Sequence, residues 1–296
     1  MKPARFQYVD PRTVGEAVGF IAAHPDDAKV LAGGQSLMPV INMRLARPAF
    51  VVDLKRIDDL DYIAAGNGGL RIGAMTTQRG LLDSPDVAAR CPLITAAVPW
   101  IGHAAIRQRG TMGGSLVHAD PSAELPAVVV ALDAELVLRG PGGERTVSAR
   151  EFFVSFFTTV AAPDELLVEV RIPAAPQGTG VATVELARRK GDFALAGVAA
   201  SAGTTSNGAV TKPRLCAFGV DEVPRRLEAC ERLLDDQTPD DDLLRELEAT
   251  ASAEVEPESD MHASAEYRRQ MTGVLARRAL SDALADSTSD TQTKGE

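Results

Sequence analysis

The chain has 296 residues, with 31 Lys plus Arg against 41 Asp plus Glu, a formal charge of −10 and 45% apolar residues. That is a globular balance long enough for two or three domains, and its acidity excludes nucleic acid or an anionic membrane as partner, both of which need basic patches. No apolar run approaches the roughly 20 residues of a membrane span, and MKPARFQYVDPRT lacks the apolar stretch of a secretion signal, so a cytoplasmic protein is expected.

In chain order, Thr13–Ala23 carries a helical stripe (Val14, Ala17, Val18, Ile21) behind a Thr13 cap. Lys29–Ala32 is a short apolar strand that stops at Gly33-Gly34. A second helix is expected over Ser36–Arg44 and a strand over Phe50–Leu54, so residues 1–56 form a first small α/β unit. Asn67-Gly68 is a hairpin turn signal between Asp61–Ala64 and Leu70–Ala74. Asp86–Trp100 reads as helix, 107–115 as a Gly-rich loop, and Ala123–Leu132 as an apolar helix. Ala134–Leu138 and Arg145–Val147 are strands around Gly140–Gly143. Phe152–Phe157 is an aromatic core segment, and Leu166–Ile172 is a strand ended by Pro173. Residues 57–176 thus make a second unit, closed by the linker 173–180, which holds two Pro and two Gly. The strand-like runs 181–188, 194–202 and 210–220 suggest a three-stranded antiparallel sheet. Helices are expected over 224–234, 240–252 and 264–285. These make a C-terminal domain, 177–285, and the polar tail 286–296 is expected to be disordered.

Two glycine loops carry the chemistry. The first, Ala32-Gly33-Gly34-Gln35-Ser36-Leu37, joins a strand to a helix; its glycines allow close backbone approach and its N–H groups suit a phosphate. The second, Gly110-Thr111-Met112-Gly113-Gly114-Ser115, repeats a glycine pair beside hydroxyls. Neither is G-x-G-x-x-G or a P-loop, so a Rossmann dinucleotide site and an NTPase are unsupported. Two such loops in an acidic chain suggest a pyrophosphate held by main-chain donors. Cys91, Cys216 and Cys230 stand far apart and the four His are scattered, so a disulfide scaffold, a zinc finger and an iron–sulfur centre held by this chain alone are unexpected, as is any metal site.

AGGQSLMP (32–39), IRQRGTMGGSLVHADPSAELP (106–126), LLVEVRIP (166–173) and ELARRKGDFALAGVA (185–199) occur in an order and spacing that resembles the FAD-binding, or medium, subunits of the molybdenum hydroxylases. The resemblance covers residues 1–283. It implies an α+β fold in which two subdomains of the PCMH/VAO-like type enclose FAD, followed by the C-terminal α+β domain. It implies that Ala32, Gly33, Gly34, Gln35, Ser36 and Leu37, with Thr111, Gly113, Gly114 and Ser115, wrap the pyrophosphate. Ile101 falls near the flavin ring. His118, Asp120 and Glu124 fall on the ribityl, ribose and adenosine part, Leu167 in the adenine or ring pocket, and Lys190 and Asp192 near the isoalloxazine. Many relatives have His at Gln35, Ile or Val at Met112, and Asn or Asp at Ser115.

The resemblance implies no catalytic acid, base or nucleophile in this chain. A large molybdopterin subunit and a small [2Fe–2S] subunit are the implied partners, in a dimer of heterotrimers, with electrons passing to FAD and on to NAD⁺ or a quinone-type acceptor. Two other readings are a stand-alone flavin oxidoreductase, which would turn over an organic donor by itself, and a flavin-free assembly or binding protein, which would lack flavin absorption.

Overall fold

A computed structural model describes residues 2–66 and 69–293. The first lobe contains β1 (Gln7–Val9), α1 (Val14–Ala23), β2 (Ala28–Leu31), α2 (Leu37–Asn42) and β3 (Phe50–Asp53). All strand pairings are parallel, in the order β1-β3-β2. Thr13 caps α1 by accepting from Glu16 N, and Ala17, Val18 and Ile21 form its buried stripe. β1 is too short and too exposed to show an apolar pattern in the sequence.

The second lobe is built on an antiparallel sheet in the order β4-β5-β10-β6-β7. β4 (Ile63–Gly66) pairs with β5 (Gly69–Gly73); the expected turn at Asn67-Gly68 lies outside the described residues. The segment read as one helix over 86–100 is broken: α3 (Gln78–Asp83) precedes α4 (Pro85–Arg90), α5 (Pro92–Ala97) and a 3₁₀ turn at Val98–Trp100. Pro85 and Pro92 each start a helix, where a missing N–H costs nothing, and so end the one before. α6 (Ala104–Arg107), α7 (Met112–His118) and α8 (Glu124–Ala131) lead to β6 (Glu135–Gly140) and β7 (Gly143–Ser148). After α9 (Ala149–Phe152) come β8 (Phe153–Ser155), β9 (Thr158–Thr159) and β10 (Leu166–Pro173). The aromatic run divides: Phe152 and Phe153 are buried, but Phe156 and Phe157 at the β8–β9 turn are exposed.

The C-terminal domain holds β11 (Thr179–Leu186), β12 (Ala196–Thr204), β13 (Val210–Phe218) and β14 (Arg225–Arg226), antiparallel in that order. The expected three-stranded sheet therefore gains a short fourth strand. β14 takes the start of the segment read as helix 224–234, and α10 (Glu228–Leu234) supplies the rest. α11 (Asp241–Ala253) and α12 (Ala265–Thr293) cover one face. α12 runs past 285, where disorder is expected. Asp286 accepts from Val181 N at 3.0 Å, and Ser287, 1% exposed, meets Thr204 Oγ1 at 3.2 Å, so these polar groups tie the extra turn to the sheet. The other face of the sheet packs against the second lobe, sharing Ala199, Cys216 and Phe218 with its core. Buried Arg226 fastens this seam, donating to Val130 O and Asp133 Oδ1 and pairing with Glu231. No described helix is long and apolar enough to cross a membrane.

Candidate functional site

The two glycine loops meet. A Cβ on Gly33 would overlap the Arg109 carbonyl oxygen and lie 2.8 Å from Gly110 Cα; a Cβ on Gly114 would lie 3.3 Å from Ala32 Cβ. Only glycine permits this approach of main chain to main chain. Gly34 has φ +73°, the left-handed turn that redirects the chain from β2 toward α2.

The loops differ in what they offer a ligand. In the first, the N–H groups of Gly34, Gln35, Ser36 and Leu37 meet no acceptor among the described residues. Ser36 makes no side-chain cap, and Gln35 folds back so that Nε2 donates to Gly33 O at 3.0 Å. Four successive half-buried N–H groups on one turn suit a multiply charged oxyanion. In the second loop the N–H groups are already engaged. Met112 N donates to Thr76 O, Gly113 N to Ala74 O, Gly114 N to Thr111 Oγ1 and Ser115 N to Thr111 O. Thr111 caps α7 while residues 110–113 zip onto 74–78, so this loop does not hold the row of free main-chain donors expected of it.

The remaining expected residues stand on several elements of the second lobe and the C-terminal domain. His118, at the end of α7, packs at a tilt against Phe157 (ring centroids 5.1 Å apart, planes at 44°). Burial lowers its pKa against the pull of Asp120, which favours the neutral imidazole. Asp120 accepts from Ser122 N and closes the turn into α8. Glu124, at the start of α8, is 8% exposed, and burial pushes its carboxyl up to about 7. Leu167 is buried on β10 within the second-lobe core. Ile101 is buried at a corner that Arg107 pins, Nη1 donating to Ile101 O at 2.8 Å and Gly102 O at 2.9 Å. Lys190 and Asp192 are exposed at the β11–β12 turn, where Gly191 abuts the His103 ring and brings the turn to the Ile101 corner.

Sequence reasoning missed several groups. Gln78, 5% exposed, lays its amide against Gly110, and its Oε1 has no hydrogen-bond partner. The side-chain oxygens of Glu185 and Thr183 on β11 are likewise sealed and without hydrogen-bond partners. A carboxylate inside the alternating run Thr179–Leu186 is the signal that could have exposed Glu185. The contact of Gly33 with Arg109-Gly110, the row of free N–H groups beside it and the orphaned Gln78 Oε1 at Gly110 fit a large polar cofactor bearing phosphates.

Comparison with known proteins agrees. Residues 4–175 match the family described as FAD binding domain in molybdopterin dehydrogenase, and residues 182–283 match the CO dehydrogenase flavoprotein C-terminal domain. The chain is 38% identical over 284 residues to the 6-hydroxypseudooxynicotine dehydrogenase complex subunit alpha of Paenarthrobacter nicotinovorans, covering 96% of each. It is 38% identical over 285 residues to the carbon monoxide dehydrogenase medium chain of Hydrogenophaga pseudoflava, covering 96% of this chain and 99% of that one. It superimposes on a chain of a solved carbon monoxide dehydrogenase structure from Hydrogenophaga pseudoflava with a TM-score of 0.94 and 39% identity, over 97% of this chain and 99% of that one.

Proposed function

The chain belongs to the family of FAD-binding, medium subunits of the molybdenum hydroxylases, and from that premise we propose that it takes electrons from [2Fe–2S] centres of a small partner subunit and passes them to NAD⁺ or a quinone-type acceptor. It is an oxidoreductase flavoprotein subunit. FAD, when bound, supplies the ability to accept electrons singly and release them in pairs. The chain's own residues bind, orient and enclose that group.

In this reading the first loop holds the pyrophosphate through the N–H groups of Gly34 to Leu37, with Ala32 and Gly33 setting the approach. Thr111, Gly113, Gly114 and Ser115 form the opposite wall. His118, Asp120 and Glu124 follow the ribityl and adenosine part, Ile101 and Leu167 supply apolar surface, and Lys190 and Asp192 stand by the exposed ring edge. Residues 1–56 and 57–176 act as the two lobes around FAD and 177–285 as the domain that closes them. A large molybdopterin subunit completes the assembly as a dimer of heterotrimers. A cytoplasmic setting belongs to the same proposal and suits three unbridged thiols.

The observation that carries the reading is the main-chain contact of Gly33 with Arg109-Gly110 beside a row of free N–H groups. The test is co-expression with adjacent reading frames for a molybdopterin protein and a small [2Fe–2S] protein. Copurification of three chains, with flavin reduced by the holoenzyme's substrate only when all three are present, is the expected result. Substrate oxidation by this chain alone would refute it.

A further inference from the structure

The sheet of the second lobe has two faces. Leu70, Ile72, Val170 and Ile172 point into the second-lobe core, where Met112 and Leu116 of α7 also sit. Side chains alternate along a strand, so Arg71 and Arg171 stand on the opposite face. The first lobe packs on part of that face, over Val137, Leu166 and Val168. Beyond it, Arg71 and Arg171 lie directly opposite each other in the pairing of β5 with β10. Like charges so placed repel. The acid that steadies them is buried Glu169, on the same strand as Arg171. It accepts from Arg171 Nε at 2.6 Å and from the Tyr62 hydroxyl at 2.5 Å, and it lies 3.6 Å from Arg71 Nη1. Burial raises its pKa, but these donors outweigh burial and hold the carboxyl below its usual range, so it is an anion.

One carboxylate between two guanidiniums leaves both Arg171 Nη groups and the whole Arg71 fork without a hydrogen-bond acceptor among the described residues. Two hollows flank the pair, and both arginines line each of them. One, of about 420 Å³, runs between the sheet and the start of α1 at Thr13–Gly15. The other, of about 430 Å³, lies over Gly66, Leu70, Ile172 and Pro173. Of the other acids on these walls, Asp133 is paired with Arg150 and Arg226, Glu144 is paired with Arg139, and Asp59 and Glu135 are exposed at the rims. A guanidinium steadied by a carboxylate can receive an oxyanion on its remaining edge, and two side by side match the several oxygens of a phosphate. We propose that the Arg71–Arg171 pair is an anion site separate from the flavin, and that it takes a phosphate group, either free or on a small molecule whose remainder lies in an adjoining hollow.

The test uses the flavin-loaded full chain freed of excess FAD. It is titrated calorimetrically with inorganic phosphate and, in a second arm, with AMP, at an ionic strength fixed with sodium chloride. Wild type is expected to bind both probes. AMP binding more tightly than phosphate assigns the site to a phosphate ester, and equal affinity assigns it to the free anion; either result supports the site. R71Q breaks only the 3.6 Å ion pair with Glu169 and so keeps the fold. It is expected to weaken phosphate binding by about tenfold with flavin content and melting temperature unchanged, and R71Q/R171Q should abolish the binding. The proposal is overturned if phosphate and AMP bind no better than chloride, if R71Q binds phosphate as tightly as wild type, or if R71Q loses its flavin together with the phosphate.

Discussion

Replacing Gly33 with Ala tests the site at its tightest point. The added Cβ would overlap the Arg109 carbonyl oxygen and lie 2.7 Å from its carbon and 2.8 Å from Gly110 Cα. All three atoms are main chain, so no side chain can swing away to relieve the clash. Overpacking of this kind typically costs about 1–3 kcal/mol, which for a chain of this size lowers the melting temperature by a few degrees. The larger effect is on the ligand, because the loops can separate only by displacing the N–H row of Gly34 to Leu37. Flavin occupancy, read as the ratio of flavin to protein absorbance after gel filtration, should fall severalfold. Gly19→Ala is the control. It sits on the exposed face of α1 with nothing within 4 Å of the new Cβ, and it should raise stability by about 0.5–1 kcal/mol without changing occupancy. Full flavin and a wild-type melting temperature in G33A would refute the argument that the loops close on each other.

Three further outcomes follow from the same geometry. Thr111→Val removes the acceptor for Gly114 N and should cost about 1 kcal/mol, with weaker FAD binding in a fluorescence titration of the flavin-free chain; unchanged affinity would show that the second loop is not part of the site. Arg226→Ala removes the buried cation that pairs with Glu231 and donates to Val130 O and Asp133, leaving Glu231 with Arg214 at 3.6 Å and Leu215 N, and should destabilise the chain by about 2–4 kcal/mol in chemical denaturation; a loss under about 1 kcal/mol would mean that the seam is not held there. Glu124, at about 7, and Glu185, at about 8, hold protons in the folded chain that the unfolded chain has already released. The native state therefore binds more protons over this range, and flavin-free stability should fall as pH rises from about 5 to about 8. Melting temperature against pH should show that decline, and E185L should flatten it; a rise would contradict the burial of these acids.

What could be read from the sequence depended on how local the determinant was. Thr13 and the stripe Ala17-Val18-Ile21 announced α1 because cap and apolar spacing lie within one helix. The glycine pairs announced the loops, since a missing Cβ is legible at a single position. Their contact was not legible, because Gly33 and Arg109 are 76 positions apart in the chain. The free and engaged N–H groups are equally hidden in sequence: the acceptors of loop two, Ala74 O and Thr76 O, lie more than 30 residues upstream of it. Pro92 lies inside the run 86–100 and Pro85 just before it, but the apolar spacing of the run is that of one continuous helix. The polar tail read as disorder because composition says nothing of Asp286 capping Val181 N. Glu185 was overlooked inside a motif that otherwise signals strand, and its burial emerges only when the seam is assembled.

On the function proposed, this chain is the flavin carrier of a larger redox assembly. Flavin content of the copurified complex, compared with that of the same complex carrying G33A, tests it most directly. A stoichiometric amount of FAD released from wild type by denaturation, with little from G33A in an otherwise intact complex, is the predicted result. A complex that assembles without flavin, or whose flavin is indifferent to Gly33, would contradict it.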